Sequence, residues 1–197
     1  PMKQTPLIAQ HRAAGAKLVD FAGWEMPIQY SGVLDEYHTV RSKAGLFDVS
    51  HMGRLMVSGV GALAFLQSVT TNDVAKLAVG QAHYSMVCNN EGGIKDDIFV
   101  YRLKPADYLL YVNASNRGKV LTWLQAHPRD ANVVLEDHSD QMAQIALQGP
   151  ISKDLMIALG GTAVTTLKLH HTCEATLVSI PTLIARTGYT GELGYEL

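Results

Sequence analysis

The chain has 197 residues, 47% of them hydrophobic, and a formal net charge of −2, which allows a sizeable core in one large domain or two small ones. That charge balance, with no Lys/Arg-rich run, excludes the electrostatic footprint of a nucleic-acid binder. No apolar run of 18 or more residues could span a bilayer, and the start, PMKQTPLIAQH, reads as neither a secretory leader nor an organelle import peptide, so the cytoplasm is the expected compartment.

Leu7 to Lys17 reads as a short helix, followed by an irregular but structured loop, DFAGWEMPIQYSG. Its Phe21, Trp24 and Tyr30 suit a stack on a planar ligand, or a hydrophobic latch closing the N-terminus over the core, which needs no ligand. A helix is expected from Val33 to Ala44, with Gly45 as its left-handed stop. Leu46 to Ser58 alternates like one strand carrying Ser50, His51 and Met52. Neighbouring side chains leave opposite faces of a strand, so Ser50 and His51 cannot be nucleophile and base.

Gly59 to Ala64, GVGALA, matches the G-x-G-x-x-A dinucleotide pattern between a predicted strand and a predicted helix. Against a nicotinamide site, the strand before it alternates instead of running apolar, and no Asp or Glu between Asp73 and Glu91 is available for an adenosine ribose. Leu63, Leu66 and Val69 recur at helical spacing, giving Gly61 to Thr70 a core-facing stripe. Strands follow near His83 to Cys88, Asp97 to Leu103 and Tyr108 to Asn113. Ser115 is the expected N-cap of a helix that Pro128 ends, and Asn132 to Glu136 is a further strand. The order from Gly53 to Glu136, β-α-β-β-β-α-β, is close to a split βαβ, ferredoxin-like unit with an added strand.

Within that unit the stretch Cys88 to Tyr101, CNNEGGIKDDIFVY, sets a Gly-Gly turn before two adjacent carboxylates at the start of an apolar strand. Desolvation or a polar neighbour can tune such a carboxylate for acid–base work, while an acidic strand end in solvent is the plainer alternative. Alternation places Asp97, Phe99 and Tyr101 on one face and Asp96, Ile98 and Val100 on the other. The aliphatic face is expected against helices, with Asp96 orienting the turn and Asp97 facing a cavity.

Further on, Met142 to Gln148 reads as a strand, Pro150 as the N1 residue of a helix and Gly160-Gly161 as its stop. Cys88 and Cys173 read as buried small hydrophobes, and His170, His171 and Cys173 supply too few ligands for zinc. Strands then run into RTGYTGELGYEL, whose glycines permit tight turns and close backbone approach. No Gly-Lys-Ser/Thr follows, so this is no phosphate loop. Tyr189 offers a π-face and Glu196 a bidentate acceptor for an amidine-like N–H pair. Such a set suits a flat heterocycle such as a pterin; a glycine-kinked hairpin with exposed tyrosines is the alternative.

Three stretches in this order, FDVSHMG from Phe47, NNEGGIKDD from Asn89 and RTGYTGELGYEL from Arg186, make the chain resemble the T-protein family of the glycine cleavage system, the tetrahydrofolate-dependent aminomethyltransferases. The likeness begins at DFAGWEMPIQY and covers essentially the whole chain, though only the first half or so of the family. It implies an α+β fold in which a discontinuous, mostly antiparallel folate-binding domain, residues 1–50 plus 138–197, surrounds a ferredoxin-like insert at 51–137. The family's remaining folate-domain strands and C-terminal β-barrel domain are expected to be absent.

The resemblance also implies transfer of the aminomethyl group from the lipoyl arm of H-protein to tetrahydrofolate, giving 5,10-methylenetetrahydrofolate, ammonia and the dihydrolipoyl carrier. By position, Asp97 matches the family's catalytic carboxylate, and Met52, Tyr84, Asp97, Asn113, Tyr189 and Glu196 match the folate-pocket lining; no metal is implied. Basic residues for the folate glutamate tail are expected partly beyond Leu197, and Glu196 is expected at a frayed strand end, making the chain alone a weak enzyme. A folate-dependent demethylase of the same fold, a non-enzymatic folate-binding protein and the nicotinamide-dependent oxidoreductase of GVGALA are the alternatives. An iron–sulfur repair relative carries a glycine-cysteine-tyrosine signature, where this chain has Thr187-Gly188-Tyr189.

Overall fold

A computed structural model describes residues 2–127 and 130–197. Pro128, the expected helix terminator, lies outside the described residues. The chain forms two compact units, one of residues up to His51 together with Ala143–Leu197, the other Met52–Met142.

The first unit opens with β1 (Lys3–Gln4), α1 (Ile8–Ala13), β2 (Lys17–Phe21), β3 (Trp24–Gln29), α2 (Val33–Ser42) and β4 (Gly45–Asp48). The first helix is shorter than expected because Gly15, at φ +73, turns the chain out of it. DFAGWEMPIQYSG is not a loop but chiefly a hairpin, with Phe21 paired to Trp24 across Ala22 and Gly23, both at positive φ (51 and 82). Its lack of periodicity has a physical cause. The register shifts so that Lys17 pairs with Gln29 and Leu18 with Pro27, leaving Ile28 as the extra residue that accommodates the proline. Helix α2 ends at Ser42, and Gly45 is a strand residue rather than a left-handed stop. There it permits close packing, since a Cβ would lie 2.5 Å from Val40 Cγ2.

The strand expected over Leu46 to Ser58 is two strands in different sheets, broken at Ser50–Met52. The second unit then runs β5 (Gly53–Ser58), α3 (Ala62–Val69), β6 (Gln81–Cys88), β7 (Ile94–Lys104), β8 (Asp107–Val112), α4 (Arg117–Ala126) and β9 (Val134–Asp137). Its antiparallel sheet has the order β6-β7-β8-β5-β9. Leu55, Val57, Val87, Ile98, Val100 and Leu110 form a buried core with Phe65 and Leu66 of α3 and with Val120 and Leu124 of α4. Each such side chain contributes about 1.5–3 kcal/mol by leaving water. Ser115 caps nothing: residues 114–116 form a 3-10 turn, and α4 starts at Arg117. The two ends of the unit are pinned together. Arg54 N donates to Ser139 Oγ at 2.8 Å, His138 N to Arg54 O at 2.9 Å, and the Arg54 guanidinium to the carbonyls of Ser139 and Met142.

Back in the first unit, β10 (Ile145–Gln148), α5 (Ser152–Ala158), β11 (Thr172–Leu177), β12 (Ile180–Ala185) and β13 (Gly194–Glu196) complete an antiparallel sheet of order β11-β12-β13-β10-β4. Helix α5 starts at Ser152, two residues after Pro150, and Gly160 at φ +96 turns the chain out of it. Leu147, Met156, Val164, Leu167, Ile184 and Tyr195 form its core. Strand β13 lies inside the sheet, and Leu197 exchanges both backbone hydrogen bonds with Ile145, at 2.8 and 3.1 Å, which supports Glu196 where a frayed end was expected. Among the described residues no helix is long and apolar enough to cross a membrane.

Candidate functional site

In the second unit the Asn89–Gly93 turn is held by Asn89, whose Oδ1 accepts from Glu91 N and Gly93 N at 3.2 and 2.6 Å. Asp96, expected from the sequence to orient this turn, instead receives the hydrogen bonds to its carboxylate from Asn113 and Asn116. Strand alternation sorts the two aspartates. Asp96 is 2% exposed beside the buried Ile98 and Val100, whereas Asp97 is exposed. Asp96 takes three hydrogen bonds: from Asn113 N and Asn113 Nδ2, both at 2.9 Å, and from Asn116 Nδ2 at 2.6 Å. Asn113 Nδ2 also reaches Asp97 O at 3.0 Å and Asp97 Oδ1 at 3.1 Å.

Beside this carboxylate–carboxamide pair, the sheet face carries rings. Tyr84 is cross-strand partner of Phe99 and meets it edge-on at 6.1 Å, and Tyr101 lies 6.0 Å further along from Phe99. Tyr84 is about half exposed, presenting a π-face and a hydroxyl. Met52 lies in the bend leading into β5.

In the first unit Tyr189 is fully exposed, and Glu196 is fixed by the Thr187 hydroxyl, which donates to its Oε2. Sequence reading missed the organiser of this segment, Gln148. It is 1% exposed, its Nε2 donates to Thr187 O at 3.1 Å, and its Oε1 accepts from Thr190 Oγ1 at 2.8 Å. Two of the motif's glycines exist to admit it: a Cβ at Gly188 or Gly194 would lie 2.0 or 2.2 Å from its carboxamide. The one available signal was a lone amide in an apolar strand, Ile145–Gln148, running into Gly149.

Tyr189 also stands at a cleft of about 730 Å3 bordered by Tyr30, Tyr37, Phe47 and Asp48. Here a part-buried polar chain closes the N-terminal segment: Asp48 Oδ2 to His11 Nε2 at 2.8 Å, and His11 Nδ1 to the Tyr30 hydroxyl at 2.7 Å. Burial opposes ionisation of Asp48, but hydrogen bonds from His11 and Ser50 outweigh it and hold its carboxyl below the ordinary range. Burial, with the negative charges of Asp48 and Glu36, pushes the Tyr30 hydroxyl upward, so it stays protonated at neutral pH. Phe21, Trp24 and Tyr30 do not form one cluster; the first two flank His51 at 5.7 and 6.4 Å.

GVGALA has no room for a pyrophosphate. Asn132 O and Val133 pack so closely that a Cβ on Gly59 would lie 1.8 Å from that carbonyl, and one on Gly61 2.8 Å from Val133 Cγ2. Among the described residues no group of three or more His, Cys, Asp and Glu side chains could hold a metal ion.

These observations define a mixed α/β protein of antiparallel sheets. Its sequence matches the GCVT N-terminal domain over residues 7–197, and the chain belongs to that family. Aminomethyltransferases of Chloroherpeton thalassium and Herpetosiphon aurantiacus are 50% and 46% identical over 196 residues, each alignment covering 100% of this chain and 54% of the relative. The crystal structure of glycine cleavage system aminomethyltransferase T from Bartonella henselae superposes with a TM-score of 0.88 at 35% identity, over 100% of this chain and 53% of that one. The chain thus spans about half the length of the curated relatives it matches. Heterotetrameric sarcosine oxidase from Corynebacterium sp. U-96 shares the fold, with a TM-score of 0.53 at 19% identity over 80% of this chain and 78% of that one.

Proposed function

We propose that the chain is the N-terminal portion of a cytoplasmic, tetrahydrofolate-dependent aminomethyltransferase of the glycine cleavage system, served by the lipoyl arm of H-protein. The observation that carries this reading is the exposed Asp97 carboxylate, held by Asn113 beside the rings of Tyr84 and Phe99, in a member of the GCVT N-terminal domain family. Residues 1–50 plus 138–197 form the folate-binding domain and 51–137 the insert, a division that the two compact units support to within a few residues. The run β9-β5-β8-β7, with β6 added at the edge, supports a ferredoxin-like insert.

The residues fit such a ligand. In the insert, Tyr84 presents an exposed ring and Asp97 an acceptor fixed by Asn113, as a flat heterocycle with N–H donors requires; within the first unit, Tyr189 presents an exposed ring and Glu196 an acceptor fixed by Thr187. Tetrahydrofolate supplies the nucleophilic nitrogen that takes up the aminomethyl carbon, yielding 5,10-methylenetetrahydrofolate, ammonia and the dihydrolipoyl carrier. Asp97 accepts a hydrogen bond from the reacting nitrogen and receives its proton during attack. Met52, Tyr84 and Asn113 of the insert, and Tyr189 and Glu196 of the folate-binding domain, are the further residues assigned to folate binding, each set on its own unit.

Intrinsic tryptophan fluorescence titrated with tetrahydrofolate, and separately with NAD, tests the reading. Saturable binding of tetrahydrofolate alone is expected. Binding of NAD without folate would overturn it.

A further inference from the structure

Asp96 is a buried carboxylate without a lysine or arginine partner among its hydrogen bonds, which is costly unless both its oxygens are hydrogen-bonded. Its partners are informative. Two of its three bonds come from Asn113 and one from Asn116, so all three converge on the 3-10 turn that follows β8 and its first flanking residue.

That convergence fixes the Asn113 carboxamide. Its Nδ2 faces three acceptors, Asp96 Oδ1, Asp97 O and Asp97 Oδ1, at 2.9, 3.0 and 3.1 Å. Rotating the amide by half a turn would set oxygen against oxygen at all three. Asn113 therefore has one allowed orientation, with Nδ2 on the aspartates and Oδ1 turned away from them. The contact with Asp97 Oδ1 in turn restrains the rotamer of an otherwise exposed side chain. Asn116 completes the arrangement, because its 2.6 Å bond holds the same Asp96 oxygen that anchors Asn113.

We propose that Asp96 and Asn116 are positioning residues for the candidate site: they lock the Asn113 carboxamide and, through it, set the Asp97 carboxylate. The assignment of a ligand to that carboxylate rests on the folate reading above; the locking itself does not. Asp96 thus does more than tie a strand to a helix, and Asn116 belongs to the site although it need touch no ligand.

The test has two independent arms. In the ligand-free chain, the side-chain NH2 resonances of Asn113 are followed by 15N–1H NMR in wild type and Asn116→Ala. Dispersed, exchange-protected signals are expected in wild type, collapsing toward free-amide positions in the variant; unchanged signals overturn the proposal. In the second arm, tetrahydrofolate affinity is measured in a double-mutant cycle of Asn116→Ala with Asn113→Ala. Asn116→Ala alone should weaken binding roughly tenfold with a thermal midpoint within about 2 °C of wild type, and should add nothing once Asn113 is alanine. Equal losses in both backgrounds would mean a purely structural role and sink the idea. Asp96→Asn should show the same pattern with a greater loss of stability, and Asn116→Ala decides the matter if that variant does not fold. If wild type binds no tetrahydrofolate, the functional reading falls while the NMR arm still decides the locking.

Discussion

Asp96 and Asp97 are adjacent in sequence and opposite in environment, one sealed by three hydrogen bonds and the other open to solvent with a single carboxamide at its side. In a chain extended to the relatives' full length, Asp97→Asn should cut single-turnover aminomethyl transfer at least about 100-fold with the fold intact, the low end for a positioned acid–base group. Circular dichroism alongside rapid-quench assays checks both halves of that expectation. Gln148 supplies a second prediction at this scale. Gly194→Ala should cost about 1–3 kcal/mol in urea titrations, because the new Cβ collides with a carboxamide that is buried and cannot swing aside. Adding Gln148→Ala should recover part of that loss. Alternation alone sorted the aspartates in the sequence, since a strand's two faces follow from its backbone. The partners of Asp96 and the packing of Gln148 were illegible there, because both depend on residues brought together across long sequence separations.

Helices and strands were most legible where periodicity was clean. The stripe Leu63, Leu66, Val69 and the alternation from Ile98 to Tyr101 both became elements of the structure. They were least legible where a bulge or a turn breaks the period, as at Ile28 in the β2–β3 hairpin and at Ser50–Met52 between β4 and β5. Those N-terminal elements are tied down by Asp48. Its carboxyl is held below its ordinary value of about 3.8, so its stabilisation is complete above that pH and is lost as pH falls through the depressed folded-state value. Asp48→Asn should lower stability by about 2 kcal/mol at pH 7 and flatten the acid limb of the stability curve, read from Trp24 emission in a Trp123→Phe background. Helix α2 stands at the other extreme, with no buried residue along its ten positions. Its amides should exchange with deuterium far faster than those of α3, whose Ala62, Phe65, Leu66 and Val69 are buried. Comparable protection in the two helices would contradict that.

At the scale of the whole molecule, β4 has to find β10, with Asp48 opposite Ile145 and Gly45 opposite Gln148. Those partners are separated by roughly a hundred residues of chain, a separation that penalises direct closure. The insert shortens that path. Once Arg54 has met Ser139 and Met142, the connection shrinks to about seven free residues, which lowers the closure cost by about 2 kcal/mol. Pulse-labelling hydrogen exchange during refolding should therefore show β5, β8 and β9 protected before β4 and β10. The reverse order would contradict this account. On the ribosome the same arithmetic becomes a waiting time: at a synthesis rate of about 5–20 residues per second, β4, with Leu46 and Phe47 bare, stands for seconds with no partner yet made. A nascent chain of this design is most exposed to mispairing during that interval, and quick folding of the insert is what brings it to an end.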